Sequence, residues 1–401
     1  MQAKIITAVE EIQRCRGCYN PVKNFHDIID LGPQWVINFG DKPAVQLPIK
    51  LVKCDQCHLV QQAYVYEPDQ FFRHYYYRSG VNDTMKNHLR QLNHKLMKMV
   101  DPCPDDVVID IGSNDSTFLN YYPPTLSRIG FEPAQNLDIK STDCTIINDY
   151  FTDSIFPAKA KIITAIGMFY DLQDPNLFLN AVKNTLHPDG VFCIEMNYLV
   201  SMIENLAIDN ATAEHCCFYT LRSLEPLLRK MDLEVFRIEQ SNINGGIIRL
   251  YIKNRGCDRY DVGPEIELYR KYVEHRYDGR VKYVEFKIKI DRARDELYSF
   301  IQAHGPVWAY GASTRGYTLL QTMGLTNKDV VAIADRNPTK CGTTLVGLDI
   351  PIRTETEWRG VRPPYTLILP YYFIDEFKER EKEYLAGGGK FIVPLPTFRL
   401  I

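Results

Sequence analysis

Short apolar runs that end in small polar turns recur along the middle of the chain. The first, Val107–Ile111, runs into Gly112-Ser113-Asn114-Asp115-Ser116, and an apolar-periodic stretch follows. That order predicts a buried parallel strand, a ligand-binding turn and a departing helix. Further strands are expected at 128–132, 144–147, 161–166 and 191–196, with helical or irregular crossovers such as 175–186 between them. Strands alternating with helices at this spacing imply a doubly wound parallel sheet with ligands at the carboxyl ends of its strands. Beyond an alternating strand at 248–252, residues 264–304 carry Phe286, Ile290, Ala293 and Leu297 at helical steps. Val307–Tyr310 then enters Gly311-Ala312-Ser313-Thr314-Arg315-Gly316, and a strand ending at Asp335 follows. This is a second Rossmann-like half with one fingerprint glycine replaced. The stretch 67–100 reads as helical and contains Tyr75-Tyr76-Tyr77. Three consecutive tyrosines cannot share one helix face, so at least one should point into a cleft.

Ahead of these lie Cys15-Arg16-Gly17-Cys18 and Cys54-Asp55-Gln56-Cys57, two C-x2-C knuckles 35 residues apart. Each knuckle brings two thiolates to one ion, and two knuckles make a closed tetrahedral S4 site. Four protein ligands leave no open position, so Cys15, Cys18, Cys54 and Cys57 are expected to hold a structural Zn2+. The fold class expected is therefore α/β: a small zinc-binding N-terminal module plus two doubly wound Rossmann-like domains. The expected bounds are 1–66 for the zinc-binding module, 67–255 for the central domain and 256–401 for the C-terminal one.

Composition removes partners rather than adding them. A net charge of −3 gives no electrostatic footprint for nucleic acid or an anionic membrane. No apolar stretch approaches the roughly 20 residues that span a bilayer. The first residues carry no signal-peptide pattern, so a cytoplasmic location is expected.

The strand ends nominate a ligand. Glu132 stands about 20 residues after Gly112, where a ribose hydroxyl pair needs an acceptor. The first turn lacks the G-x-G-x-x-G that lets a pyrophosphate approach the backbone. It offers Gly112, Ser113, Asn114 and Asp115 instead, with Asn114 and Asp115 suited to an amino-acid ammonium and carboxylate. S-adenosylmethionine fits these groups better than a dinucleotide. Pro133, Asp149 and Tyr150 would complete its site, and Met168 and Phe169 would flank its adenine. Asn197 and Tyr198 fall at a neighbouring strand end. Gly245 and Gly246, after Asn244 and before a strand bearing Arg249, permit close backbone approach to a substrate, although a hairpin turn explains them nearly as well.

The order of "DIGSNDS", "GFEPAQNL", "IGMFYDLQDPN", "EMNYL", "EHCCFYTLRSLEPLL", "NINGGIIRLYI" and "YGASTRGYTLLQ…ADRNPTKCG" behind the cysteine module covers nearly the whole chain. It resembles the three-domain S-adenosylmethionine-dependent sugar C-methyltransferases, which act on nucleotide-linked 4-keto-deoxysugars. The resemblance implies a monomeric enzyme that takes a dTDP- or GDP-linked sugar, removes a proton alpha to the ketone and methylates that carbon, at C3. It makes His215 the general base, Glu214 its electrostatic partner and Tyr77 the active-site tyrosine. It also favours receipt of the sugar nucleotide by Ser313, Thr314 and Arg315 at the second turn, over a nicotinamide dinucleotide there. Two departures stand out: Thr212 and Ala213 replace the family's Tyr-His before Glu214, and Ser116 replaces its Gly. A Ser at positive φ costs on the order of 1 kcal/mol or more. O- or N-methyl transfer, an oxidoreductase using the last domain, and a binding module that has lost catalysis are the alternatives.

Overall fold

The computed structural model describes residues 4–5, 9–37, 39, 45–137, 143–154, 158–241 and 243–401. The side chain of Asn244, one of the expected substrate-facing groups, lies outside the described residues.

Two seven-stranded sheets dominate. The central one runs 233–241, 247–254, 186–197, 160–166, 107–111, 127–131, 145–147 across its width. Five of these strands are parallel, and Leu233–Ser241 and Ile247–Asn254 close one edge as an antiparallel pair. Val108, Ile109, Ile162, Ile163 and Phe192 are fully buried, as strands covered on both faces require. The first strand has neighbours that leave its carboxyl end in opposite directions, and that divergence opens a crevice. The C-terminal sheet repeats the plan, with Val307–Tyr310 flanked by parallel Val330–Asp335 and Tyr365–Ile368. The chain is thus α/β, with a small cysteine-bearing module and two Rossmann-like sheets.

The helix Asp83–Val100 starts where the Asn82 side chain accepts from the amides of Thr84 and Met85, and it ends at Asp101 with φ +47°. Leu89, Leu92, Leu96 and Val100 form its buried stripe. Before it, the chain is not the continuous helix expected. Asp69–Phe72 is one turn, and the three tyrosines follow in irregular backbone. The segment 264–304 is also interrupted. A π-turn at Tyr269–Glu274 carries Glu274 inward, and the regular helix resumes at Val281–His304. The Glu274 carboxylate accepts from the amides of Leu221 and Arg222 and from the Tyr198 hydroxyl, so the wide turn serves as a cap for the helix Leu221–Lys230.

The N-terminal module touches both halves. Its strand Val60–Gln62 pairs antiparallel with Cys217–Phe218 of the central region. Its strand Phe25–Trp35 ends where the Trp35 backbone exchanges two hydrogen bonds with the Gln321 side chain, at 2.6 and 3.1 Å. Among the described residues, no helix is long and apolar enough to cross a membrane.

Candidate active site

A cavity of about 620 Å³ runs along the carboxyl ends of both large sheets. Gly112, Asn114, Glu132, Pro133, Asp149, Tyr150, Met168 and Asn197 line it from the central sheet, and Ser313, Thr314 and Arg315 from the other. His215, Glu214 and Tyr77 face the same space. The central side is mainly acidic, with Glu132, Asp149, Asp171, Glu195 and Glu214 beside Arg78, whereas the C-terminal side is mixed, with Arg315, Arg336, Lys340 and Arg380 beside Asp335, Glu355 and Glu376.

The central end is built around Glu132. One carboxylate oxygen accepts the Asn114 amide at 2.7 Å and the other the Ala134 amide at 2.9 Å. Burial still pushes this carboxyl upward, because two neutral amides do not replace bulk water. Each oxygen keeps a lone pair for a hydroxyl of a vicinal diol. Gly112 has φ +74° and Asn114 φ +51°, which wrap the turn back over Glu132. The Asn114 and Asp115 side chains do other work than expected. They accept the amides of Ser79 at 3.0 Å and Gly80 at 2.8 Å, and with Asn136, bonded to Tyr75 on both backbone groups, they pin the tyrosine segment across the cavity. Ser113 is buried beneath Gly130, where a Cβ would meet its Oγ at 2.5 Å. Asp149 and Tyr150 form the rim with Arg73 and Asp69.

Three expected contacts from neighbouring strand ends lie elsewhere. Phe169 is fully buried against Phe178 and Tyr219, and the wall beside Met168 is Tyr170. Tyr198 is fully buried and spent on Glu274. Arg249 is the centre of an ion-pair ladder, with Glu195 at 2.5 Å, Glu239 at 3.1 Å and His88 at 3.1 Å, so its charge is already answered. Both glycines owe their place to packing within the protein. A Cβ on Gly245 would meet Arg315 Nη2 at 3.2 Å, and one on Gly246 would meet Ser201 Cβ at 2.4 Å.

His215 sits at the junction of the two ends. Its Nδ1 lies 2.6 Å from the Asn210 carbonyl oxygen, which can only accept, so the proton is on Nδ1 and Nε2 keeps its lone pair. The ring packs edge-on to Tyr170 at 4.4 Å. Burial drives its pKa down to about 4, well below the value near working pH that histidine offers unperturbed. The imidazole is therefore neutral at pH 7. Burial raises Glu214, and burial followed by Glu214 holds Asp171 well above the usual carboxylate range. Tyr75 is also raised by burial, followed by Asp171 and Glu214, and stays a phenol donor. Tyr77 presents its ring to the open space at 44% exposure. Tyr170 and Asp171 were not singled out from sequence, because a single helical turn at Phe169–Asp171 has no periodic signature, whereas Tyr75 belongs to the tyrosine run expected to face a cleft.

Arg315 crosses between the halves. It donates to Asp209 at 2.7 Å and stacks on Tyr372 at 4.2 Å, and Tyr371 also donates to Asp209. Asp209 is fully buried, so the pair fixes the C-terminal half to the segment that holds the His215 ring.

The cysteines converge as their spacing requires. All four sulfurs lie within 4.8 Å of one another, with Cys15–Cys57 at 3.5 Å and Cys18–Cys54 at 3.7 Å. A tetrahedron with zinc–sulfur bonds near 2.3 Å has edges of about 3.8 Å, so the set fits a closed S4 zinc site. Gln61 and Asn20 amides donate to Cys15 and Cys18 at 3.2 Å. Arg16, inside the first knuckle, reaches the Gln173 side chain at 3.0 Å, and the Gln62 amide bonds the Cys216 carbonyl at 2.9 Å. The module thereby braces the residues next to His215.

Comparison with known proteins agrees with this architecture. A methyltransferase domain family matches residues 82–238, and a C-methyltransferase C-terminal domain family matches residues 242–396. The chain is 28% identical to the C-methyltransferase NovU of Streptomyces niveus, over 98% of each protein. Solved structures resemble only part of it. The plantazolicin methyltransferase BpumL covers 44% of this chain and 87% of its own, at 14% identity and a TM-score of 0.35. An S-adenosylmethionine-dependent methyltransferase from Clostridium acetobutylicum covers 44% of this chain and 94% of its own, at 12% identity and a TM-score of 0.35. Two successive domain matches and one relative aligned end to end lead to the same place: the chain is an S-adenosylmethionine-dependent methyltransferase, similar over its whole length to a C-methyltransferase.

Proposed function

We propose that the enzyme methylates C3 of a nucleotide-diphospho-4-keto-deoxysugar, alpha to the ketone, through an enolate. The observation that carries this reading is His215, a neutral imidazole with Nδ1 fixed on Asn210 and Nε2 unspent, in the cavity lined by the strand ends of both sheets. In this reading residues 1–66 are a brace holding a structural zinc, 67–255 hold the methyl donor and 256–401 the nucleotide.

When bound, S-adenosylmethionine supplies an electrophilic methyl sulfonium. Glu132 orients its ribose. His215 Nε2 takes the alpha proton and the C–H electrons move to the ketone oxygen; with the methyl donor bound, the enolate carbon would attack its methyl group as the methyl–sulfur bond breaks and S-adenosylhomocysteine leaves. The Tyr75 and Tyr77 phenols stand on the cavity wall as donors for the developing oxyanion. Burial raises the Glu214 and Asp171 carboxyls, which disfavours negative charge on them beside the enolate. Lys340 supplies positive charge for the diphosphate.

Incubation with S-adenosylmethionine and dTDP- or GDP-linked 4-keto-6-deoxysugars, followed by NMR of the product, tests the assignment. The expected product carries a new C-methyl at C3. An O-methyl or N-methyl product overturns the reading.

A further inference from the structure

The turn that follows the strand Ala160–Ile166 presents a phenol that nothing else in the protein uses. The turn itself is held at both ends. The Gly167 amide donates to the Glu195 carbonyl at 2.8 Å, and the Asp171 amide to the Met168 carbonyl at 3.0 Å, closing the single helical turn Phe169–Asp171. Phe169 sinks into the core against Phe178 and Tyr219, with ring centroids at 5.7 and 5.1 Å. Beyond the turn, Gln173 Nε2 donates to the Tyr66 carbonyl at 3.3 Å, and Gln173 Oε1 accepts from Arg16 at 3.0 Å. With Phe169 anchored in the core, its neighbour Tyr170 is turned into the cavity.

Two contacts fix where Tyr170 stands. Its ring packs edge-on against His215, at 4.4 Å and 69°. Its hydroxyl lies over Gly167, where a Cβ would come 3.6 Å from Oη. Gly167 follows the strand that pairs with Val107–Ile111, so the phenol reaches from His215 toward the strand ends that carry Gly112 and Met168. Buried tyrosine hydroxyls are normally paired. Those of Tyr198, Tyr310 and Tyr371 each donate to a carboxylate. Among the described residues, no protein atom bonds the hydroxyl of Tyr170. Burial, followed by Asp171 and Tyr75, holds this phenol well above the ordinary tyrosine value, so it keeps its proton.

An enolate forms when a proton leaves one carbon and the electron pair settles on the oxygen of the next. The base and the donor that meets the oxyanion must therefore be neighbours, and a donor already fixed in place stabilises the charge best. Tyr170 satisfies both conditions. Phe218, the other ring against His215, stands at 6.5 Å and has no hydroxyl. Tyr77 is exposed and shares irregular backbone with Tyr75. We propose that Tyr170 is a catalytic residue whose hydroxyl donates a hydrogen bond to the ketone oxygen of the substrate as that oxygen takes up the enolate charge. No covalent bond to Tyr170 is made or broken. This rests on the enolate reading of the reaction and adds to it the donor beside the base.

The test compares the unaltered full-length protein with Tyr170→Phe, using dTDP- and GDP-linked 4-keto-6-deoxysugars. Alpha-proton exchange is followed in D2O with S-adenosylhomocysteine bound, and kcat and KM are measured for methyl transfer. Phenylalanine keeps the ring against His215 and removes only the hydroxyl. Exchange and kcat should both fall about 100-fold or more, while KM for the sugar nucleotide and affinity for S-adenosylhomocysteine change less than about threefold. Retained S-adenosylhomocysteine binding shows that the variant is folded. Exchange and kcat within about threefold of the unaltered protein, or a loss confined to KM, overturn the assignment to Tyr170 and leave the enolate reading standing. No exchange and no C-methyl product from the unaltered protein overturn the enolate reading, and the role of Tyr170 with it.

Discussion

Ser116→Gly should make the protein more stable, and the structure says by how much. Ser116 has φ +63° and is fully buried, and its Oγ has no hydrogen-bond partner among the described protein atoms. The left-handed conformation costs a non-glycine residue about 1–2 kcal/mol. A buried unpaired hydroxyl adds about 1 kcal/mol. Against this, glycine's extra freedom in the unfolded chain costs about 0.5–1 kcal/mol. The net gain is about 1–2.5 kcal/mol, or a rise of roughly 2–10 °C in Tm for a domain of this size. Differential scanning fluorimetry, with and without S-adenosylhomocysteine, reads it. Ser116→Ala is the control: it removes the hydroxyl but keeps the strain, so it should recover only about 1 kcal/mol. The Asn114 amide that serves Glu132 is two residues away, and ligand affinity should change by less than about threefold. If the glycine variant is less stable than the alanine variant, the strain argument is wrong.

Three further outcomes follow from the structure. Elemental analysis should find about one zinc per chain, and Cys54→Ser should lose it and lower Tm by about 10 °C or more, with kcat falling more than affinity for S-adenosylhomocysteine, because the module braces the strand Cys217–Phe218 beside His215. With its His215 pKa near 4, kcat/KM should stay flat from about pH 5.5 to 7 and lose activity only toward pH 4, whereas an inflection near 6.5 would mean an exposed, ordinary histidine. The same depressed value makes the unfolded chain the better proton acceptor between about pH 4 and 6.5, so acid should cost up to about 3 kcal/mol of stability as pH falls through that window.

Much of this was readable in the sequence because it rests on spacing. The strand Val107–Ile111 and the four cysteines were visible as patterns, and the structure brings Glu132 and His215 to one cavity. What spacing could not resolve was the side of the sheet. Adjacent residues at a strand end point to opposite faces, so Asn197 lines the cavity while Tyr198 turns into the core. Met168 and Phe169 divide in a comparable way. Arg249 looked available because its partners are distant in sequence, yet Glu195 and Glu239 stand directly opposite it on the two neighbouring strands. The expected helix through Tyr75–Tyr77 gave way to irregular backbone because Asn114, Asp115 and Asn136 supply the hydrogen bonds a helix would have made internally.

The most direct test of the central claim leaves the methyl donor out. The enzyme is incubated in D2O with the nucleotide-linked 4-keto-deoxysugar and S-adenosylhomocysteine, and the alpha proton is followed by NMR. The account predicts enzyme-dependent exchange at the carbon that is later methylated, abolished in His215→Asn while S-adenosylhomocysteine still binds. Exchange at the full rate in His215→Asn, or turnover to a methylated product with no exchange and the new methyl on oxygen, would contradict it.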